Sequence, residues 1–271
     1  METIFRNPGM LEEEYLPRLL PYREDQHKYL ADCVKPVLFG RPGKNVVISG
    51  ATGIGKTACA RFLIRELKEQ TDNVFPVYIN CWKRDTTYRV IHHIGEQIGI
   101  KPYMMERKRA DEIFDMILRN MSSYGGAFFV FDEIDKVRDY DFLYRLLEDV
   151  KLKTIFMITN NEGFLAELDN RIRSRLLAET VRFRPYDLSE TSGILRERVD
   201  HAFAQGVWNQ DAFQLVCRKT CERGNMRFGL FLLREAGNIA ESRGSDVVEA
   251  SDVMKELEKI EGDGEKKVGE F

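Results

Sequence analysis

Five short stretches of the chain are apolar almost without a break, and each is followed by a polar or glycine-bearing interruption. They are residues 45–49, 74–80, 127–131, 154–159 and the briefer 181–183. Short β-branched and aromatic runs of this kind predict strands, and continuous apolarity predicts burial on both faces, as in a parallel sheet. Between them the apolar positions shift to helical spacing, over about 23–37, 58–69, 88–98, 109–121, 140–150, 162–168 and 171–177. Strands alternating with helices predict βαβ units with right-handed crossovers, which bring the strand C-terminal ends and their loops to one edge.

The pattern changes at Pro185-Tyr186-Asp187, after which only helical spacing is found, over about 189–205, 209–222, 225–242 and 249–261. Ser189, Asn209 and Asn225 are candidate N-caps, and Gly206, Gly224 and Gly244 candidate stops. The expected division is an N-terminal arm at 1–14, an α/β domain at 15–186, a helical domain at 187–262 and a tail at 263–271. The arm reads as loosely ordered, and the tail as too polar and glycine-rich to pack.

Composition narrows the class. Hydrophobic residues make up 43% and charged residues 31% of the 271 positions, which describes a globular protein. No window approaches the ~18 apolar residues of a membrane span, and the opening Met-Glu-Thr-Ile-Phe-Arg lacks the pattern of a signal peptide. The expected location is cytoplasmic, and nucleoid-associated if DNA is bound. Cys33, Cys59, Cys81, Cys217 and Cys221 are scattered and odd in number, which fits reduced core thiols. Cys217 and Cys221 have helical i, i+4 spacing but too few companions for a structural zinc site. A net charge of −3 argues against a polycation, yet 41 Lys and Arg leave room for a local basic face.

The most specific chemistry follows the first strand. Gly50-Ala51-Thr52-Gly53-Ile54-Gly55-Lys56-Thr57-Ala58 has the spacing of a phosphate-binding loop between a strand and a helix. Its glycines let successive N–H groups turn inward on phosphate oxygens, and the helix adds the positive end of its dipole. Lys56 is placed to reach the β- and γ-phosphates, and the Thr57 hydroxyl to ligate Mg²⁺. The strand Phe128-Phe129-Val130-Phe131 ends in Asp132-Glu133, with Asp132 suited to hold Mg²⁺ through water and Glu133 to orient the attacking water. Asn160, ending the next strand, could bridge the γ-phosphate and that water, with Asn161 beside it as a competitor. Arg171-Ile172-Arg173-Ser174-Arg175 is either a solvated basic turn or a source of guanidinium for a neighbouring subunit's nucleotide. Arg227 stands in a first helical turn, where it opposes the dipole, and so is a candidate to reach nucleotide.

With these positions laid out, the chain resembles the AAA+ ATPases of the replication-initiator family, relatives of the origin recognition complex and its cell-division-cycle partner. The resemblance runs over about 4–262. It is carried by the phosphate loop, Leu20-Pro21-Tyr22-Arg23-Glu24-Asp25-Gln26, Tyr78-Ile79-Asn80-Cys81, Thr87-Tyr88-Arg89-Val90 and Asp132-Glu133-Ile134-Asp135-Lys136. Ile158-Thr159-Asn160-Asn161, Arg171 to Leu176 and Gly224-Asn225-Met226-Arg227 complete it. It implies an α/β AAA+ base with a parallel sheet and a small helical lid, binding ATP or ADP with Mg²⁺ and hydrolysing slowly. Pro21, Tyr22 and Arg23 would line the adenine pocket, Asn160 would be sensor one and Arg227 sensor two. Arg175 would be the intersubunit finger, with Arg171 the alternative. The insertion around 83–100 would face duplex DNA through Lys83, Arg84 and Arg89, and other AAA+ subunits or a helicase would be partners. A winged-helix domain is expected after the lid in such proteins and is not found in the 271 residues, so the expected DNA binding is weak and salt-dependent. The alternatives are a nucleotide-dependent protein-interaction switch and a clamp-loader-like subunit.

Overall fold

The computed structural model describes residues 3–268. Five parallel strands form one sheet in the order β2-β3-β4-β1-β5: β1 (Val46–Ser49), β2 (Val74–Asn80), β3 (Gly126–Asp132), β4 (Lys153–Thr159) and β5 (Glu179–Arg182). Every residue of β1 is buried, as are all but the first of β3 and β4, which is why these stretches show no alternation. Before β5 the described residues form eight α-helices: α1 (Glu24–Leu38), α2 (Lys56–Gln70), α3 (Thr87–Gln97), α4 (Pro102–Met105), α5 (Ala110–Met121), α6 (Asp141–Asp149), α7 (Phe164–Glu167) and α8 (Asn170–Leu176). Phe129, Phe131, Ile155 and Met157 share a core with Ile91 and Ile94 of α3, Ile113 and Phe114 of α5, and Phe142 and Leu146 of α6. On the other side Phe128 meets Phe156 edge-on at 4.8 Å, and α1 packs over β3 and β4.

Helices follow: α9 (Leu188–Ala202), α10 (Gln210–Arg223), α11 (Met226–Ser242) and α12 (Ala250–Val268). Contacts divide the chain into an α/β unit, Arg23–Gly50 with Gly55–Phe183, and a helical unit, Met1–Tyr22 and Arg184–Phe271 with loop residues Ala51–Ile54. The helical unit has its own core, around Leu195, Phe203, Val216, Leu232, Leu233, Ala236 and Val253.

Three local expectations change. The N-terminal arm is packed: Ile4 and Leu11 join the helical core, a 3-10 turn forms at Pro8–Leu11, and the Phe5 ring lies 4.7 Å from Phe203. Apolar side chains at the right places outweigh a composition that reads as loose. The cap of α9 is Asp187, not Ser189; its carboxylate accepts from Glu190 N, while the Glu190 side chain returns to Asp187 N. The last helix continues to Val268 rather than ending at 261, past Gly262 and Gly264. The end of the tail, 269–271, lies outside the described residues. Asn209 and Asn225 do cap α10 and α11, and Gly224 closes α10 in the left-handed region at φ 59°.

Candidate nucleotide site

The sheet order brings the C-terminal ends of β3, β4 and β1 side by side, with Ser49 in register with Thr159. Ligands of open α/β sheets bind outside these ends. The loop after β1 reaches α2 through Gly55, which sits at φ 91° in the position that caps the helix. A residue with a Cβ is strained there. At the loop's tip Gly53 also has positive φ, and within the helical unit its carbonyl accepts from Met226 N at 2.9 Å.

Lys56, the first residue of α2, is buried, and its ammonium donates to Gly50 O at 2.7 Å and to Asn160 Oδ1 at 2.8 Å. Asn161 turns elsewhere: its amide donates to Glu167, and its Oδ1 accepts from Gly163 N. The structure thus places Asn160, and not its neighbour, against the phosphate-loop lysine.

Asp132, at the end of β3, is buried and held on both carboxylate oxygens. Oδ1 accepts from Glu133 N at 3.0 Å, and Oδ2 accepts from the hydroxyls of Thr57 and Tyr78, each at 2.7 Å. Glu133 itself occupies the left-handed region at φ 54°, a conformation that costs a non-glycine residue about 1–3 kcal/mol and concentrates at functional sites. Thr57 and Asp132 therefore offer two hard oxygen donors in contact with each other, beside the lysine of a phosphate loop. That donor set suits Mg²⁺, which takes one or two protein oxygens and completes its shell with phosphates and water.

Tyr78 was not legible as a site residue from its motif. Burial and the nearby Asp132 charge push its phenol well above the ordinary value, so it remains a donor. Asp135 follows two residues after Glu133; burial would raise its carboxyl, but the Thr159 hydroxyl at 2.7 Å and Lys136 at 2.9 Å outweigh that and hold it low. One signal was available for both: a hydroxyl or carboxylate inside or just beyond an apolar strand needs a partner.

The remaining candidates are placed less directly. Arg23 caps α1 without a side-chain bond to it, and its buried guanidinium lies 5.2 Å from the centre of the Phe183 ring. Pro21 is half-buried, and Tyr22, at φ 64°, sets its hydroxyl against Gly193 within the helical unit. Arg175 pairs with Glu148 and stands 5.0 Å over the Tyr144 ring, while Arg171 pairs with Asp169 at 3.1 Å. Both are thus engaged within the chain, and neither contact reaches the phosphate loop. Arg227 pairs with Glu13 of the arm at 3.4 Å. On the insertion, Lys83 and Arg89 are exposed, Arg84 is half-buried, and Arg89 pairs with Asp85 at 2.8 Å. Arg138 joins the same carboxylate at 2.7 Å, and Lys136 lies 5.5 Å over the ring of Trp82, which is 65% exposed. The sequence stretch after Asp132 thus adds two cations to this face. Among the described residues no cluster of three or more His, Cys, Asp or Glu could hold a metal, and no helix is long and apolar enough to cross a membrane.

A glycine loop on β1, a carboxylate ending β3, an asparagine ending the strand between them and a following helical unit define a phosphate-loop ATPase of the AAA+ class. An AAA domain matches residues 41–162, and the Cdc6 AAA+ ATPase-type lid domain matches residues 192–256. The ORC1-type DNA replication protein 1 of Sulfurisphaera tokodaii is 36% identical over 96% of this chain and 68% of its own length. That of Aeropyrum pernix is 34% identical over 96% of this chain and 70% of its own length. The chain belongs to this family of replication-initiator AAA+ proteins. Among solved structures, the Aeropyrum pernix ORC1 protein in complex with DNA has a TM-score of 0.86 at 33% identity, covering 96% of this chain and 71% of that one. Cdc6p from Pyrobaculum aerophilum shares the fold, with a TM-score of 0.83 at 22% identity over 95% of this chain and 72% of that one.

Proposed function

We propose that the chain binds ATP with Mg²⁺ and hydrolyses it slowly, and that nucleotide state controls its assembly on duplex DNA during replication initiation, in the cytoplasm or nucleoid. The observation that carries this is the linked set Lys56–Asn160 and Thr57–Asp132 at the ends of three adjacent strands, in a chain of the ORC1-type family. Lys56 and the loop amides of Gly50–Ala58 would take the phosphates, and Thr57 and Asp132 would hold magnesium, which supplies charge neutralisation at the phosphate oxygens. Glu133 would orient water for in-line attack, and Asn160 would sense the γ-phosphate from its place on Lys56. Arg227 would act from the lid, leaving Glu13 for phosphate. Arg175, or Arg171, would serve a neighbouring subunit's nucleotide after releasing its own carboxylate. Pro21, Tyr22 and Arg23 would border the base. Lys83, Arg84 and Arg89, with Lys136 and Arg138, would neutralise a few DNA phosphates.

The test combines turnover with DNA binding. Lys56→Ala should abolish ATP binding, and Glu133→Gln should retain binding but lower hydrolysis by at least about a hundredfold. Fluorescence anisotropy of a duplex, with ATP against ADP across a salt series, should show steeply salt-dependent binding whose nucleotide dependence is lost in Lys56→Ala. Turnover undiminished in both variants, or binding indifferent to nucleotide, would contradict the proposal.

A further inference from the structure

β2 is an edge strand, so every second residue turns its backbone polar groups outward, where no neighbouring strand pairs them. At Tyr78 that gap is closed by one side chain. Gln97, the last residue of α3, accepts from Tyr78 N at 3.2 Å through Oε1 and donates to Tyr78 O at 2.9 Å through Nε2. This two-point amide clamp fixes the position of Tyr78 along and across the edge. From there the phenol reaches over the β3 end to Asp132, whose Oδ2 it shares with Thr57. The guanidinium of Arg61, one turn along α2 from Thr57, lies 5.7 Å from the Tyr78 ring.

A carboxylate at a strand end can rotate about its Cβ–Cγ bond, and partners behind a metal-binding group set its orientation. Thr57 alone cannot do this for Asp132, because the same hydroxyl is a candidate metal donor. Glu133 N fixes Oδ1, and of the two donors to Oδ2 Tyr78 is the one that is not itself a candidate metal donor. We propose that Tyr78, clamped by Gln97, is a positioning residue that holds the Asp132 carboxylate for magnesium. This rests on the reading of Thr57 and Asp132 as the magnesium side of the nucleotide site.

The experiment follows the magnesium dependence of nucleotide binding. A subsaturating fluorescent ADP derivative is titrated with MgCl₂ in the parent chain, Tyr78→Phe, Asp132→Ala and the double variant, with matched titrations in EDTA and thermal unfolding of each. In Tyr78→Phe the magnesium midpoint should rise about tenfold, the lower end of the usual cost of losing a partner behind a metal ligand. Affinity in EDTA and the unfolding temperature should stay close to the parent's, and adding Tyr78→Phe to Asp132→Ala should change the midpoint no further. An unmoved midpoint in Tyr78→Phe, alongside a shifted one in Asp132→Ala, overturns the role of Tyr78 and leaves the magnesium reading standing. An equal Tyr78→Phe shift in both backgrounds, or a loss of EDTA affinity or unfolding temperature in place of a midpoint shift, also overturns it. Should Asp132→Ala leave the midpoint where it was, the reading beneath the inference falls.

Discussion

The ammonium of Lys56 is buried and donates to two neutral oxygens, Gly50 O and Asn160 Oδ1. Both of these acceptors are neutral, so neither repels an entering oxyanion as a carboxylate in the same place would. Asn160→Asp would place a carboxylate where Oδ1 now lies 2.8 Å from the ammonium. That charge would pair with Lys56 and repel phosphate, so ATP affinity should fall by at least about tenfold, or about 1.4 kcal/mol. Isothermal titration of Asn160→Asp and Asn160→Ala separates charge from loss of contact; equal losses in the two would sink the electrostatic account. At this scale the sequence was most legible where chemistry is local. Lys56 and Thr57 are fixed by a loop of fixed spacing, and Asp132 by the end of an apolar run. The choice between Asn160 and Asn161 needed the exit direction of the chain from β4. Tyr78 was hidden because its partner depends on how β2 sits on β3, with Tyr78 beside Val130 and Asn80 beside Asp132. Register between strands distant in sequence is not written in either strand alone.

Elements of the helical unit show the same limit on a larger stretch. The arm at 1–14 reads as loose because it is short, acidic and interrupted by proline and glycine, yet its described residues, from Thr3 on, find partners about two hundred residues away. Arg6 N and Asn7 N both donate to Ala202 O, at 2.8 and 3.0 Å, and Ile4 N donates to Glu241 at 2.8 Å. The docking requires a glycine on α11: a Cβ at Gly237 would come within 2.6 Å of the Phe5 ring and 2.8 Å of the Phe203 ring. Gly237→Ala should therefore destabilise the helical unit by about 1–3 kcal/mol, the usual cost of overpacking, despite the better helix propensity of alanine. Chemical denaturation checks the size. Adding Phe5→Ala, which removes the nearer ring, should make the Gly237→Ala step cheaper; strict additivity of the two changes would mean the arm is not what the methyl displaces. Regular helices were legible from periodicity and caps. The Asp187 cap was misassigned to Ser189 because both residue types cap well, and only the reciprocal bond with Glu190 distinguishes them.

Across the whole molecule, acid sensitivity divides between the two units in a way that can be measured. In the helical unit Asp252 is fully buried; burial would raise its carboxyl, but Arg243 outweighs this with contacts at 2.9 Å to both oxygens, helped by Glu249 N at 2.9 Å. Its folded pKa is thus below the ordinary 3.8, so its contribution to stability is present above that value and is lost as pH falls through the folded one. In the α/β unit Asp85, Glu96, Asp135, Asp169 and Glu179 are likewise held low, each by its own cation, hydroxyl or amide partners. The chain has two tryptophans, Trp82 in the α/β unit and Trp208 in the helical unit. Trp82→Phe leaves Trp208, 5.5 Å from the Phe203 ring, to report on the helical unit alone. In that background Asp252→Asn should be destabilising at pH 7, because Arg243 loses its buried anion and keeps only the more exposed Glu249 at 3.5 Å. The gap from the unsubstituted background should then close as pH drops below about 4, where Asp252 protonates in the unfolded chain first. Urea unfolding by Trp208 emission from pH 7 to 2.5 reads the gap directly. A gap that stays constant over that range would show that the buried pair does not set the acid response of this unit.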